Sequence, residues 1–425
     1  MSTDSAGPAR STAPAADRPA GTRVLVINSG SSSVKYQLLD MAGRTGTDGT
    51  KTAGTETAGT GPDGTGAVRL ASGLVERIGE GPVADHAAAL RQAAAELDER
   101  GLGLDSPGLA AVGHRVVHGG TRFTEPTLIT DEVVAGIEEL IPLAPLHNPA
   151  NIQGIKVARE LRPDLPQVAV FDTAFHSTMP EYAARYAIDT ATADAHGVRR
   201  YGFHGTSHAY VSRAAAALLG REPAEVNAIV LHLGNGASAS AVAGGVCVET
   251  SMGLTPLEGL VMGTRSGDLD PAVIFHLSRE AGMSTDEIDT LLNKRSGLLG
   301  LCGDNDMREI GRRMAEGDRA AGLAFEIYVH RLRKYVGAYT AVLGRVDVIA
   351  FTAGVGENSA AVREAAMRGL EALGIALDPV RNALRGSSAR LISAGGSRTA
   401  VAVIPTDEEL EIARQAYALV GAVRD

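Results

Sequence analysis

Two segments of the sequence, about half a chain apart, share one pattern: a strand, a short turn of small polar residues and a second strand. The first is VLVINSGSSSVKYQLLD, which begins at Val24, and the second is AIVLHLGNGASASAVAGG, which begins at Ala228. Repetition of one supersecondary unit indicates internal duplication. The pair predicts two domains of one ancestral type, each presenting a tight backbone turn to a shared cleft. A chance match between two short glycine-containing hairpins is the alternative.

The rest of the sequence alternates apolar, strand-like runs with helical stretches, which is typical of an α/β fold. A length of 425 residues accommodates two domains. The predicted strands are 24–28, 34–40, 110–112, 167–171, 228–233, 238–243, 346–352 and 400–404. The predicted helices are 85–101, 151–161, 207–219, 270–281, 307–316, 319–343, 359–373 and 407–420.

Two stretches lack the apolar residues that a packed structure needs. Residues 1–22 have no apolar central region of a secretory signal, and we predict a disordered tail. Residues 42–67, rich in Gly and Thr, cannot bury enough surface to offset the entropy of ordering, so we predict a flexible insertion. A G-x-G-x-x-G occurs there at Gly59, Gly61 and Gly64, but no strand precedes it and no helix follows it, so we do not interpret it as a nucleotide loop.

Charge and cysteine content restrict the partners. A formal net charge of −10 argues against nucleic acid, which such a surface would repel. Cys247 and Cys302 are too few and too far apart for a disulfide framework, which indicates a reducing compartment. No apolar stretch approaches the roughly 20 residues that span a bilayer. We therefore predict a cytoplasmic protein without nucleic-acid or membrane partners.

Three glycine-rich turns follow apolar strands and are candidates for phosphate binding: Asn28–Ser33, His232–Gly236 and Gly354–Asn358. Glycine permits close backbone approach, so successive N–H groups can face one anion. The third turn leads into a helix near Ser359, whose free N–H groups and dipole also favour negative charge. Lys35 is placed to reach the same ligand. The sequence contains no G-x-x-x-x-G-K-[ST], so a P-loop enzyme is excluded.

Polar motifs at strand ends and in loops supply charged residues. Arg115 in GHRVVHGG and Asp172 in FDTAFH end apolar strands, the edge at which open α/β sheets bind ligands. His204 in YGFHGTSH and Arg265 in MGTRSGD lie in loops before predicted helices. His204 and His208 have the spacing of metal ligands, but the Glu of H-E-x-x-H is missing, which argues against zinc. Each residue alone is also compatible with a structural hydrogen bond, and Asp172 with a capping acid.

The segment Thr406–Glu409 predicts the start of a helix. Its T-D-E-E pattern is a capping box, in which Glu409 reaches back to the N–H of Thr406. Glu408 then remains free to act on a metal ion or its waters. A solvated acid of the first helical turn, or a capping pair in a different register, are the alternatives.

Taken together, these blocks resemble the acetate/butyrate kinase family. NSGSSSVKYQL, GHRVVHGG, FDTAFH, RRYGFHGTSH, HLGNGAS, MGTRSGDLDP, GVGENS and PTDEEL match the family's motifs in its order. The resemblance implies the duplicated actin-like (ribonuclease H-like) ATPase fold, an α/β fold with two domains around a nucleotide cleft. The first domain would be 23–172, with helix 409–425 packing back on it, and 173–408 would be the nucleotide-binding and dimerisation domain. The resemblance also implies a homodimer, ATP or ADP as co-substrate, and Mg²⁺, with Mn²⁺ as an alternative.

The resemblance further assigns roles to matched residues. Asn28 and Glu408 would hold the metal, partly through waters. Arg115 would pair with the substrate carboxylate, Arg265 with the acyl or phosphoryl group and His204 with the moving phosphoryl, and Asp172 is the family's active-site acid. The nucleotide would be held by Lys35, His232, Leu233, Gly234, Asn235, Gly236, Asp306, Met307, Arg308, Gly354, Val355, Gly356, Glu357 and Asn358. The family often has Asn at the position of Asp407.

The reaction implied by the resemblance is direct in-line transfer of the ATP γ-phosphoryl to acetate, giving acetyl phosphate. A short carboxylic acid is ionised at neutral pH because its pKa lies near about 4, so no general base is needed and we interpret Asp172 as a positioning residue. Arg115, Arg265, His204 and the metal are expected to supply positive charge to a loose transition state. Propionate or butyrate is the nearest alternative acceptor, since one methylene changes preference by only about 1–3 kcal/mol. A sugar kinase, which needs a carboxylate base, and a non-catalytic actin-like protein are more distant alternatives.

Overall fold

The computed structural model describes residues 21–30, 32–42, 66–79, 83–106 and 108–422. Most of the predicted tail and insertion, including the G-x-G-x-x-G, lies outside these residues. The described chain forms two six-stranded sheets. The first contains β1 (Arg23–Ser29), β2 (Ser33–Asp40), β3 (Val68–Glu76), β4 (Leu109–Val116), β5 (Thr127–Leu128) and β6 (Gln167–Phe171). The second contains β7 (Asn227–Leu233), β8 (Ala237–Ala243), β9 (Val246–Thr250), β10 (Val348–Thr352), β11 (Arg390–Leu391) and β12 (Ala400–Val403).

The two sheets have the same topology. The strand order is β3-β2-β1-β4-β6-β5 in the first sheet and β9-β8-β7-β10-β12-β11 in the second. In each, an antiparallel meander is extended by two parallel strands, and a short antiparallel strand forms the far edge. Strand by strand, the second half of the chain repeats the first. The predicted duplication and α/β class are confirmed, and the alternative of a chance match is wrong.

The described residues also contain fifteen α-helices, several of which pack on the faces of the sheets. They are α1 (His86–Glu99), α2 (Asp131–Glu139), α3 (Asn148–Leu161), α4 (Glu181–Ala184), α5 (Thr190–Ala195), α6 (Gly205–Leu218), α7 (Ala272–Glu280), α8 (Thr285–Lys294), α9 (Gly297–Cys302), α10 (Met307–Ala315), α11 (Arg319–Leu343), α12 (Ala353–Asn358), α13 (Ala360–Met367), α14 (Pro379–Ala383) and α15 (Glu408–Ala422). Short 3₁₀ helices occur at Ile141–Leu143, Ala174–His176, Pro223–Glu225 and Glu371–Leu373. Within the described residues, no helix is both long and apolar enough to cross a membrane.

Helices α6 and α15 lie between the two sheets. One apolar cluster joins Val24 of the first sheet, Val230 of the second, Val211 of α6 and Leu410 of α15. Helix α15 contacts β1, β4 and β6, although it follows the second sheet in the chain. The outer face of the first sheet packs on α1 and α3, and that of the second on α10, α11 and α13. The shared inner layer places the strand ends of both sheets beside one cleft.

Glycines explain two differences from the predicted elements. Strand β3 was not predicted, and its interior Gly73 weakens the strand pattern. Gly73 pairs with Tyr36 of β2, and a Cβ there would lie 2.3 Å from the Tyr36 hydroxyl, so this glycine marks a close approach within the sheet. The helix predicted for 359–373 ends at Met367, because Gly369 has a φ of +82°, which ends an α-helix.

A buried histidine in β4 predicts acid sensitivity. His114 is 2% exposed, and its Nε2 lies 2.7 Å from Gln167 Oε1. Burial lowers its pKa to about 4, while the hydrogen bond with Gln167 acts in the opposite direction. The unfolded chain gains this proton near about pH 6.5, well before the folded protein does. The stability contribution of His114 is therefore complete above about pH 6.5 and is lost as the pH falls, by up to about 1.4 kcal/mol per pH unit.

We expect the free energy of unfolding to fall between about pH 6.5 and pH 4.5, and His114→Asn to make this fall shallower. Urea unfolding at several pH values measures both slopes. The matched control is His196→Asn, since His196 is exposed and its replacement should leave the slope unchanged. An unaltered slope in His114→Asn would contradict the prediction.

Candidate active site

The carboxyl ends of the central strands bring the predicted residues together. In the first sheet β4 ends at Val116 and β6 at Phe171. In the second sheet β7 ends at Leu233 and β10 at Thr352. Strands β4 and β6 are parallel neighbours, as are β7 and β10, so each pair ends at one sheet edge. Open α/β sheets bind ligands at such edges.

Arg115, at the end of β4, and Asp172, directly after β6, form a two-point ion pair. Arg115 Nε lies 3.1 Å from both carboxylate oxygens, and Nη2 lies 2.6 Å from Oδ2. The Asp172 side chain is 1% exposed, and Arg115 is 20% exposed. Burial lowers the pKa of Arg115, but the carboxylates of Asp172 and Glu408 outweigh it and raise the pKa. Because Arg115 occupies both Asp172 oxygens, this geometry favours positioning over general-base catalysis.

The start of α15 differs from the predicted capping box. Asp407 is the N-cap, because its Oδ1 accepts a hydrogen bond of 3.0 Å from the N–H of Leu410. The Thr406 N–H instead donates to Glu357 Oε1 at 3.3 Å, and Glu409 pairs with Lys35 at 2.7 Å. The prediction that Glu409 caps the helix is therefore wrong. The cap is in a different register, since Asp is preferred over Thr at this position.

Glu408 and Asn28 are suited to a hard cation. Glu408 Oε2 lies 3.9 Å from Arg115 Nη1, and burial raises the pKa of Glu408, with Arg115 acting in the opposite direction. Asn28 lies opposite Lys35 in the β1–β2 hairpin, and Lys35 forms an ion pair with Glu409, the residue after Glu408. Carboxylate and amide oxygens are Mg²⁺ ligands. In the described part of the chain, no group of three or more His, Cys, Asp or Glu is arranged to hold a metal.

His204 is the N-cap of α6 and has a left-handed backbone conformation, with a φ of 57°. Its Nδ1 lies 2.8 Å from Ser238 Oγ, and its ring stacks on His232 with centroids 4.3 Å apart. The His208 Nε2 shares the same hydroxyl at 2.7 Å. Burial holds the pKa of His204 well below its ordinary value, and the neighbouring histidines add to this effect. The lowered pKa favours the neutral imidazole, which can still donate an N–H, over the positive charge expected from the sequence.

Arg265 lies in the irregular segment between β9 and α7. Its Nη1 donates to the Pro256 carbonyl at 3.0 Å. A Cβ on Gly236 would lie 3.6 Å from His204 Nε2 and 3.7 Å from Arg265 Nη1, so the β7–β8 turn, His204 and Arg265 meet at one point. Burial lowers the pKa of Arg265, and no carboxylate in the described ranges forms an ion pair with it. A partly buried guanidinium without an acidic partner is suited to an anion.

An open pocket of about 790 Å³ lies on the other side of the β7–β8 turn. Most of the predicted nucleotide residues line it: Gly234, Asn235, Asp306, Met307, Arg308, Gly354, Val355 and Asn358. The remaining ones, which are not among its lining residues, are Lys35, His232, Leu233, Gly236, Gly356 and Glu357. Asn305, Ser359 and Arg385 line the pocket and were not predicted. Asn305 and Ser359 adjoin predicted motifs, whereas no sequence signal indicated Arg385.

The predicted third turn is a short helix. Residues Ala353–Asn358 form α12, and Ala353 enters it with a φ of 63°. Glu357 Oε1 accepts from the Ala353 N–H at 2.9 Å and from Thr406. Glu357 therefore connects this helix to the segment between β12 and α15.

His232 also has a supporting role. Its Nδ1 lies 2.7 Å from Ser207 Oγ, and its ring stacks on that of His204.

Two asparagines of α3 support the site and were missed. Asn151 donates to the Ser29 carbonyl at 2.7 Å and accepts from the Val117 N–H at 3.0 Å. Asn148 accepts from the His118 N–H at 3.2 Å. These amides hold the ends of β1 and β4 beside each other. The signal was the N-P-A-N segment at the start of the helix, where two asparagines three positions apart interrupt an apolar face.

Known proteins resemble this chain over nearly its whole length. The model of the Acetokinase family matches residues 23–414. An acetate kinase from Streptomyces avermitilis is 68% identical over 419 residues, covering 94% of this chain and 98% of that protein. The crystal structure of Porphyromonas gingivalis acetate kinase superposes with a TM-score of 0.83 at 42% identity, covering 94% of this chain and 100% of the other. The crystal structure of a propionate kinase from Francisella tularensis superposes with a TM-score of 0.82 at 41% identity, covering 93% of this chain and 98% of the other.

Proposed function

The chain belongs to the acetokinase family, and from this premise we propose that it transfers the γ-phosphoryl group of ATP to acetate, giving acetyl phosphate and ADP. The observation that carries the proposal is the convergence of His204 and Arg265 on Gly236, at the turn that also borders the pocket. A nucleotide in the pocket would present its phosphates along this turn. Arg115 lies on the facing sheet edge, where an acceptor carboxylate needs a cation.

The reaction is a direct displacement at the γ-phosphorus. One acetate oxygen forms a bond to phosphorus while the bond to the bridging oxygen of ADP breaks, and ADP leaves with that electron pair. Acetate attacks as the anion, so no proton has to be removed. Arg115, held by Asp172 through Nε and Nη2, would direct Nη1 at the carboxylate. Arg265 would neutralise the equatorial oxygens of the moving group.

His204 would act as a neutral donor to the same oxygens. We assign the tautomer in which the Ser238 hydroxyl donates to Nδ1, which leaves the Nε2–H facing Gly236. Asn28 and Glu408 would hold Mg²⁺, partly through waters. When bound, the cation supplies further positive charge at the β- and γ-phosphates. Lys35 would add charge near this end of the nucleotide.

Incubation with Mg-ATP and a panel of short acids tests the proposal. Acyl phosphate is trapped with hydroxylamine as the hydroxamate and quantified for acetate, propionate and butyrate. We expect acetate to give the highest kcat/KM, as the name of the 68% identical relative supports. Absence of product with every acid would end the proposal. A higher kcat/KM for propionate would instead make propionate the acceptor, as in the name of the Francisella protein.

We propose a cytoplasmic homodimer whose two domains are residues 23–172 with helix 409–425, and residues 173–408. The dimer is supported by α7, none of whose residues is buried although its sequence is apolar. Phe275 is 57% exposed, Val273 40% and Ile274 36%. A second copy of the chain would cover this patch.

Phe275→Glu is expected to shift the protein from dimer to monomer, because it places a charge in an apolar contact. Analytical ultracentrifugation measures the mass. Tyr182→Glu is the control, since Tyr182 is 89% exposed on α4, outside the patch. An unchanged dimer in Phe275→Glu would place the interface elsewhere.

A further inference from the structure

Asp407 connects the first turn of α15 to the edge of the first sheet. While its Oδ1 caps the helix, its Oδ2 accepts a hydrogen bond of 3.1 Å from Arg69 Nη2. Arg69 lies on the edge strand β3, and its Nε donates to Gln37 Oε1 of β2 at 2.9 Å. The Asp407 side chain is 16% exposed and that of Arg69 is 26% exposed. This pair is therefore less screened than an ordinary surface ion pair.

Glu409 makes a second connection to the same hairpin. Its Oε1 lies 2.7 Å from Nζ of Lys35 on β2, and its side chain is 7% exposed. Glu408 lies between Asp407 and Glu409 in the chain, and its carboxylate faces Arg115 of β4 rather than the hairpin. The edge hairpin thus holds the residues on both sides of the proposed metal ligand. First helical turns otherwise fray, which would let the Glu408 carboxylate move.

We propose that Arg69 and Asp407 are a positioning pair for Glu408, an inference that rests on the metal site of the proposed function. Neither side chain is a metal ligand. They fix the first turn of α15 against the sheet, so that Glu408 is presented to the cation in one orientation. Capping alone does not need the charge of Asp407, because Asn caps a helix as well as Asp. The charge serves the hydrogen bond to Arg69, which is stronger when both groups are ionised.

Direct binding of Mn²⁺ in the presence of ADP tests the proposal without relying on turnover. The electron paramagnetic resonance signal of free Mn²⁺ gives its Kd. Asp407→Asn, which keeps the cap, and Arg69→Gln are each expected to raise this Kd about 10-fold. The double variant should bind Mn²⁺ no more weakly than the single variant with the higher Kd, because both substitutions remove the same hydrogen bond between Arg69 and Asp407. The KM for acetate should change less than about twofold, since Arg115 is untouched.

Glu411→Gln is the matched control on the same helix. It breaks the ion pair between Glu411 and Arg213 of α6, one turn beyond Asp407. We expect a lower Tm and an unchanged Kd for Mn²⁺. Unchanged Mn²⁺ affinity in Asp407→Asn and Arg69→Gln, or strictly additive effects of the two, would overturn the positioning role. Glu408→Gln separates this result from failure of the metal assignment. If this variant binds Mn²⁺ normally, Glu408 is not a metal ligand and the positioning proposal fails with that assignment, whereas the hydroxamate assay tests phosphoryl transfer independently.

Discussion

Arg265→Ala is expected to lower kcat by about 10³-fold or more, with a much smaller change in the KM for ATP. Arginines that stabilise a transferring phosphoryl group act mainly in the transition state, where negative charge spreads over the equatorial oxygens. Arg265 is suited to this role, because it is partly buried, its guanidinium contacts the Pro256 carbonyl and Met262 Sδ, and it lies beside Gly236. Steady-state kinetics with both substrates varied measures the effect.

Arg265→Lys should recover part of the lost kcat, since Lys restores the charge but not the planar fork of donors. The control is Arg122→Ala, because Arg122 is 54% exposed and pairs with Glu139 away from the cleft. A rise in the KM for acetate at unchanged kcat would show that Arg265 only binds substrate.

Asp172→Asn is expected to lower kcat/KM for acetate by about 10²-fold or more, because removing one partner of a buried ion pair costs about 3–5 kcal/mol. The amide keeps the size of the side chain but cannot accept both Arg115 hydrogen bonds as a carboxylate does. Arg115 then loses its fixed orientation, and the KM for acetate should rise more than the KM for ATP. Initial rates with each substrate varied measure this difference.

The pH–rate profile distinguishes positioning from general-base catalysis. A general base would make the rate fall as acid protonates it, and Asp172→Asn would abolish that limb. We expect the variant to keep the shape of the profile at a uniformly lower rate. Loss of the acid limb would contradict the positioning role. Thr206→Val is a useful comparison, since it removes only the 3.4 Å contact of the Thr206 hydroxyl with Asp172.

Local sequence patterns predicted where the cleft residues lie along the chain, but they predicted less well which residues contact each other. Arg115 and Asp172 were expected at strand ends, and β4 and β6 end beside them. Asp172 was interpreted as a positioning residue, but its specific pairing with Arg115 depends on the parallel register of two strands that α2 and α3 separate in the chain. The lowered pKa of His204 was also not expected, because it results from burial, and burial is a property of the assembled layers. Arg385 reaches the pocket through a turn after α14 that carries no motif.

The sequence by itself determined the duplicated strand–turn–strand units, since alternating apolar residues and glycine turns act over a few neighbouring positions. It also contained eight motifs that match the acetate/butyrate kinase family in order. Only the tertiary structure decided which acid at the start of α15 caps the helix and which faces the cleft. That choice depends on Lys35 and Arg69, and Arg69 lies 338 positions from Asp407 in the chain. The three consecutive carboxylates of Asp407, Glu408 and Glu409 are chemically alike. They differ in role because the first sheet places a different basic side chain beside each of them.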